Sequence, residues 1–207
     1  RGLVARGDRV TVLSSGRHAE RIRAVGAVSA SLPDAADYDD ARFDADLPGR
    51  ARTSGIARIN YDIEHVFVRP MPHQFRALQE LLNTGRFDAV IADALFLGVL
   101  PLLLDRSAHR PPILSYCTTP LFLTSVDTAP GGPGIAPLPG AVGRLRNRIL
   151  TVATQRLLMR RAHRAADTML AGMGKPPLPV FVLASAALSD RVIVPTIPQF
   201  EYPRSDL

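Results

Sequence analysis

Residues 87–98 read FDAVIADALFLG. The run from Phe87 to Ala92 is apolar apart from Asp88, is bounded by Gly85 and Asp93, and is too short for a helix. Such a run fits a parallel strand covered on both faces. Leu97–Leu104 then supplies a crossover helix, and Pro112–Tyr116 (PPILSY with its flank) the next strand. Upstream the same alternation recurs. Arg1–Arg6 reads as the end of a helix stopped by Gly7, and Val10–Leu13 (VTVL) as a β-branched strand. Ser14, Ser15 and Gly16 make a turn; His18–Val25 is a helix closed by Gly26; Ala27–Leu32 is a weaker strand ended by Pro33. Strands that alternate with helices predict an α/β fold with a doubly wound parallel sheet, its right-handed crossovers laying helices on both faces.

The remaining segments fill in around this frame. Pro33–Arg52 is acidic and loop-like, with a spacing unlike that of a calcium loop. Ser54–Phe67 and His73–Leu82 are predicted helices broken near Pro70 and Pro72; Phe75, Leu78, Leu81 and Leu82 share a face of the second. Thr118–Pro139 is rich in proline and glycine and too long for a routine connection, which marks a binding or mobile loop. Gly140–Met173 is helical, with Leu145, Ile149 and Val152 as the expected buried stripe and its arginines facing solvent. Pro176–Pro179 forms a boundary, Val180–Leu188 a short helix and Arg191–Thr196 a last strand, after which 198–207 trails off.

Composition narrows the function classes. The chain has 207 residues, 46% hydrophobic and 21% charged, enough for one sizeable domain with a core. Tryptophan is absent and aromatics are 6%, which argues against a stacking surface for nucleic acid. The formal charge of +6 comes almost wholly from arginine, with Lys175 the only lysine, a bias that looks like coding preference rather than function. Cys117 is the only cysteine, so no disulfide forms within the chain, in keeping with a cytoplasmic protein. No apolar stretch approaches the roughly 20 residues of a membrane span, and no signal peptide or phosphate-cradling glycine motif of the GxGxxG or Walker type is visible. No metal or cofactor site is expected.

Three segments together resemble the GT-B glycosyltransferases that move sugars from nucleotide donors to small lipophilic acceptors, a family that includes the UDP-glucosyltransferases and the macrolide and other natural-product enzymes. They are LVARGDRVTVLSS (Leu3–Ser15), FDAVIADALFLG (Phe87–Gly98) and VIVPTIPQFEYPRSDL (Val192–Leu207). Their order and spacing, more than any one of them, carry the likeness. One departure is Asp8, where the family often has histidine after the helix-ending glycine. The resemblance implies that 1–197 is an acceptor-binding Rossmann-like domain lacking its first strand and that 198–207 begins an interdomain linker. It further implies that the nucleotide sugar, UDP- or dTDP-linked, is held mainly by the protein's own C-terminal domain, so that these residues alone transfer no sugar.

The resemblance also implies site residues. In the family a loop histidine takes the proton from the acceptor hydroxyl and an aspartate orients it. Asp93, in IADALF, matches that aspartate, while none of His18, His65, His73, His109 or His163 matches the base. Asp93 would equally serve as a cap for the turn that follows it. Thr118, with Thr119 beside it, matches a hydroxyl residue that contacts the transferred sugar, though a turn threonine bonding its own backbone reads the same way. Leu121, Phe122 and Phe75 are candidates to line an apolar acceptor pocket, with Leu123, Phe67 and Met71 as further ones. Two other readings remain open here: a non-catalytic acceptor-binding subunit of a split glycosyltransferase, and an unrelated doubly wound small-molecule-binding domain.

Overall fold

The computed structural model describes residues 1–105, 109–119, 121–131 and 134–206. Gly132 and Pro133 of the long loop, Pro120, and Leu207 lie outside them, as do the side chains of Asp40, Phe43 and Pro198. The opening turn is α1 (Gly2–Ala5), and Gly7 leaves it at φ +93°. Strand β1 (Thr11–Ser14) runs into a 3-10 turn and α2 (Ala19–Arg23), which Gly26 terminates at φ +81°; β2 (Val28–Ser31) returns parallel to β1. Both glycines take the left-handed conformation that a side chain resists, which is why each helix stops where it does.

After the acidic loop and its single turn α3 (Phe43–Asp46) comes α4 (Gly55–Asp62), which winds on as a π-helix over Ile63–Val68. Then follow α5 (Met71–Asn83), β3 (Val90–Asp93), α6 (Leu100–Leu103) and β4 (Ile113–Tyr116). Pro72 sits in the first turn of α5, where its missing N–H costs nothing. The second half holds α7 (Gly140–Ala153), a π-helical stretch Thr154–Leu158, α8 (Arg160–Gly172), a 3-10 segment Val182–Leu188 and β5 (Arg191–Ile193).

All strand pairings are parallel, as the alternation predicts, but the strands form two groups, β1–β2 and β3–β4–β5. The register Val90↔Ile113 and Ala92↔Ser115 puts those four residues on one face, and Ala92, Ile113 and Ser115 are buried there. On the other face Ile91 is 53% exposed and Tyr116 36%. Asp190 fixes the start of β4 against β5: its carboxylate accepts the Ile113 N–H at 2.7 Å and Arg110 at 2.6 Å. Those donors hold its pKa below the ordinary value, Arg110 first and the Ile113 amide second.

Two clusters make the core. Leu78, Ala92, Val99, Leu102 and Ile113 pack α5 and α6 on the covered face of β3–β4. Ile63, Val68, Met71, Leu97, Leu100, Ala162, Ala166 and Leu170 pack α8 against the π-helical turn and the start of α5. A buried amide joins these elements. Asn60 Nδ2 donates to Ile56 O at 3.0 Å and Leu158 O at 2.8 Å, while Asn60 Oδ1 accepts the Ala162 N–H at 3.1 Å. The side chain therefore satisfies a carbonyl and an amide freed where the long helical region breaks at Met159. Glu64, 8% exposed, takes Arg69 at 2.8 Å and Arg161 at 3.0 Å.

The expected buried stripe of α7 is a correction: Leu145, Ile149 and Val152 are 61%, 59% and 45% exposed, and the face turned inward carries Gly143 and Asn147. Helical periodicity tells which residues share a face; it does not tell which face meets the protein.

A Cβ at Gly98 would lie 2.5 Å from Gln74 Cβ and 2.9 Å from the backbone of Gln74 and Phe75, so Gly98→Ala should cost about 1–3 kcal/mol in denaturant unfolding. Gly2→Ala, which meets open space, should stay within about 0.5 kcal/mol. Burial raises the Glu64 pKa, but Arg69 and Arg161 outweigh it and leave the folded value below the ordinary 4.5. A lowered carboxyl pKa stabilises fully above the unfolded value and less as pH falls through the folded one. The Tm gap between wild type and Glu64→Gln should therefore hold at neutral pH and shrink below about pH 4.5, as thermal melts across that range would show.

Candidate functional site

Paired parallel strands deliver their carboxyl ends to one edge, and ligands of open α/β folds bind outside the carboxyl ends of the strands. A cleft of about 260 Å³ is lined by Ser14, Ser15, Arg17 and His18 just past β1, and by Asp93, Leu95 and Phe96 past β3. Asp37 and Tyr38 from the acidic loop, Val66 and Phe67 from the π-helical turn, and Gln74 from α5 close it.

Asp93 is the last residue of β3 rather than the one after it. Its Oδ1 accepts the Leu95 N–H at 2.9 Å, and its Oδ2 accepts the Thr118 hydroxyl at 2.9 Å. The register Asp93↔Tyr116 explains the second bond, since it sets Thr118 two residues beyond the partner position at the same edge. Capping and site geometry thus coexist in one carboxylate. Gln74 is also fixed, its Oε1 accepting the Gly98 N–H at 3.0 Å in a buried contact. Asp37 accepts the Gly16 N–H at 3.1 Å, which ties the acidic loop to the turn after β1.

The other candidates part company. Thr119, Leu121 and Phe122 are half-buried and do not line this cleft; the Phe122 ring faces Gly131. Phe75 packs on the cluster between α5 and β3. Phe67 lines the cleft, and Met71 is fully buried in the core. His18, set aside on sequence, is the histidine that lines the cleft, while His65 stacks on Tyr61 with ring centroids 3.7 Å apart and His163 sits near Asp167 and Phe181. His18, Asp37 and Gln74 were missed because nothing in their local sequence separates them from surface residues. Their role depends on where β1 and β3 end, and the one available signal was position just past a strand. Among the described residues no group of three or more histidine, cysteine, aspartate or glutamate side chains is arranged to hold a metal ion.

The long loop is clasped to the end of the chain by two reciprocal aspartates. Asp206 accepts Ser125 Oγ and the Val126 N–H, and Asp127 accepts the Ser205 N–H at 2.7 Å, the Ser205 hydroxyl at 2.6 Å and Arg144 at 3.1 Å. Both carboxyl pKa values lie below the ordinary one, chiefly through Ser125 for Asp206 and Ser205 for Asp127.

Comparison with known proteins now bears on the fold and the cleft. No protein-family model matches the chain. The chain is 28% identical over 206 residues to 4'-demethylrebeccamycin synthase of Lentzea aerocolonigenes, covering 99% of this chain and 48% of that protein. It is 31% identical over 211 residues to UDP-glycosyltransferase 2 of Phaeomoniella chlamydospora, covering 99% and 46%. Its relatives are glycosyltransferases. The fold matches the crystal structure of the glycotransferase of kitacinnamycin with a TM-score of 0.52 at 20% identity, over 93% of this chain and 40% of that one. That neighbour is a GT-B protein, so the parallel α/β architecture is that of a GT-B Rossmann-like half. The chain spans about half the length of the curated relatives it matches. Among the described residues no helix is long and apolar enough to cross a membrane.

Cys117 lies directly below Thr118 and is 4% exposed. Burial pushes its thiol pKa up, and the negative charges of Asp93 and Glu201 push the same way, which disfavours the reactive thiolate. Iodoacetamide near neutral pH should alkylate Cys117 about tenfold or more slowly in the folded protein than in denaturant, as mass spectrometry would follow.

Proposed function

We propose that this chain forms the acceptor side of an inverting glycosyltransferase, which moves a hexose from a UDP- or dTDP-linked donor to a hydroxyl of a small lipophilic acceptor. The observation that carries the reading is Asp93, held by Thr118 and the Leu95 amide and lining a cleft at the carboxyl ends of β1 and β3. Glycosyltransferase relatives along the whole of this chain support it from outside.

In the proposed reaction the acceptor oxygen attacks the anomeric carbon from the face opposite the nucleotide. The new C–O bond forms as the sugar–phosphate bond breaks, the electron pair leaves with the nucleoside diphosphate, and the hydroxyl proton passes to a general base. Asp93 is a positioning residue. Its carboxylate orients the base and stabilises the positive charge the base acquires, while the Leu95 amide and Thr118 hold the two carboxylate oxygens in place. By the family resemblance the base is a histidine outside these 207 residues, and the nucleotide binds mainly to a C-terminal domain. Val66, Phe67, Leu95 and Phe96 give the cleft apolar walls suited to a lipophilic acceptor, with Gln74 and Ser14 as polar contacts for orientation.

The test is steady-state kinetics of the complete enzyme. Asp93→Ala and Asp93→Asn should each lower kcat by about 100-fold or more, with donor KM changed by less than about threefold. Asp93→Asn keeps an acceptor oxygen for the Leu95 amide, so an unchanged Tm in that variant separates lost chemistry from lost folding. Wild-type turnover in both variants would remove Asp93 from the mechanism.

A further inference from the structure

Helix α7 is amphipathic the wrong way round for a helix that packs on a core. Val142, Leu145, Ile149 and Val152, spaced three, four and three residues apart, form one face, and they are 73%, 61%, 59% and 45% exposed. The inward face is small and polar. Gly143 abuts the Leu138 carbonyl so closely that no side chain fits there, and Asn147 is fully buried, its Nδ2 donating to Val126 O at 3.0 Å. Leu157 and Leu158, 71% and 47% exposed, extend the apolar surface into the π-helical stretch. From 142 to 158 this is a ridge on the order of 25 Å long.

Charge decides what suits the ridge. From 128 to 166 the sequence has no aspartate or glutamate and holds seven arginines: 144, 146, 148, 156, 160, 161 and 164. Arg144 pairs with Asp127, Arg161 with Glu64, and Arg146 bonds the Ala136 carbonyl. Arg148, Arg156 and Arg160 are exposed and have no carboxylate partner among the described residues. A second copy docked symmetrically on this face would bring those like charges together with no acid to offset them. An anionic lipid surface complements both features: the apolar stripe enters the acyl boundary while arginines on either side reach up to the phosphates.

We propose that α7 and the π-helical stretch after it are an interfacial docking surface by which the protein lies on anionic membranes. The surface is the opposite side of α7 from its seat on the protein, so docking needs no unfolding and leaves Gly143 and Asn147 in place. It stands independently of the sugar-transfer reading.

The experiment is sedimentation of the full-length protein with vesicles of pure phosphatidylcholine or of phosphatidylcholine carrying about a third phosphatidylglycerol, at low and at high salt. Binding to the anionic vesicles should exceed that to the neutral ones by about tenfold or more and weaken with salt. Leu145→Glu with Ile149→Glu should lose that binding by about tenfold or more while Tm stays within a few degrees, since both side chains are already in solvent. Arg148→Gln with Arg156→Gln should reduce the anionic preference and leave the fold intact. Equal affinity for both vesicle types, or wild-type binding by the double glutamate variant, would overturn the proposal. So would a wild-type dimer in light scattering that the glutamate variant breaks, because that assigns the stripe to a second copy.

Discussion

Parallel pairing is the constraint from which the rest of this molecule follows. A parallel strand cannot be closed by a tight turn, so each of β1–β2, β3–β4 and β4–β5 requires a crossover, and within each group the strands end at the same edge. The crossovers supply the helices whose apolar faces make the core. The segments just past the carboxyl ends of β1 and β3 line the cleft together. Core and cleft are thus two consequences of one backbone rule, and side-chain chemistry only decides what the cleft can hold.

The helical layer shows how much polar carpentry such a fold needs. The region from Gly140 to Gly172 cannot run as one straight helix, because α7 must seat Gly143 on the loop at Leu138 while α8 packs Ala162, Ala166 and Leu170 into the core. The π-helical stretch Thr154–Leu158 takes up the change of direction, and the backbone groups it frees need partners. Asn60 provides two of them from α4, and Glu64, one turn on, anchors α8 through Arg161. A leucine at either position would pack more apolar volume and leave those groups buried without bonds, the costlier choice.

Much of this was legible in the sequence, and the reasons are local. Gly7 and Gly26 stop their helices because positive φ excludes most other residues, and each strand was located to within a few residues by its β-branched or apolar run. What the sequence hid depends on distant neighbours. The stripe Leu145–Ile149–Val152 was visible as a face but not as an outward one, since that choice was made by Gly143 meeting Leu138 and Asn147 meeting Val126. Phe75 and Phe67 look alike in sequence, yet one packs on β3 and the other lines the cleft. Asp37 reaches the turn after β1 from 21 residues away, a distance over which no local pattern speaks.

Asp93 sits where local and distant requirements meet. As the last residue of β3 it releases the chain from its ladder with β4, and its Oδ1 takes the Leu95 amide just beyond the strand. That bond orients the carboxylate along the strand edge and turns the second oxygen across to β4, where Thr118 donates to it. A glutamate would reach past the Leu95 amide, and an asparagine has one carbonyl oxygen and a donating amide NH2, one acceptor oxygen too few to serve both contacts. Aspartate is the side chain that can terminate this strand and still present a negative charge to the cleft. A capping role and a role in the site therefore do not compete at this position, because the first supplies the geometry the second requires.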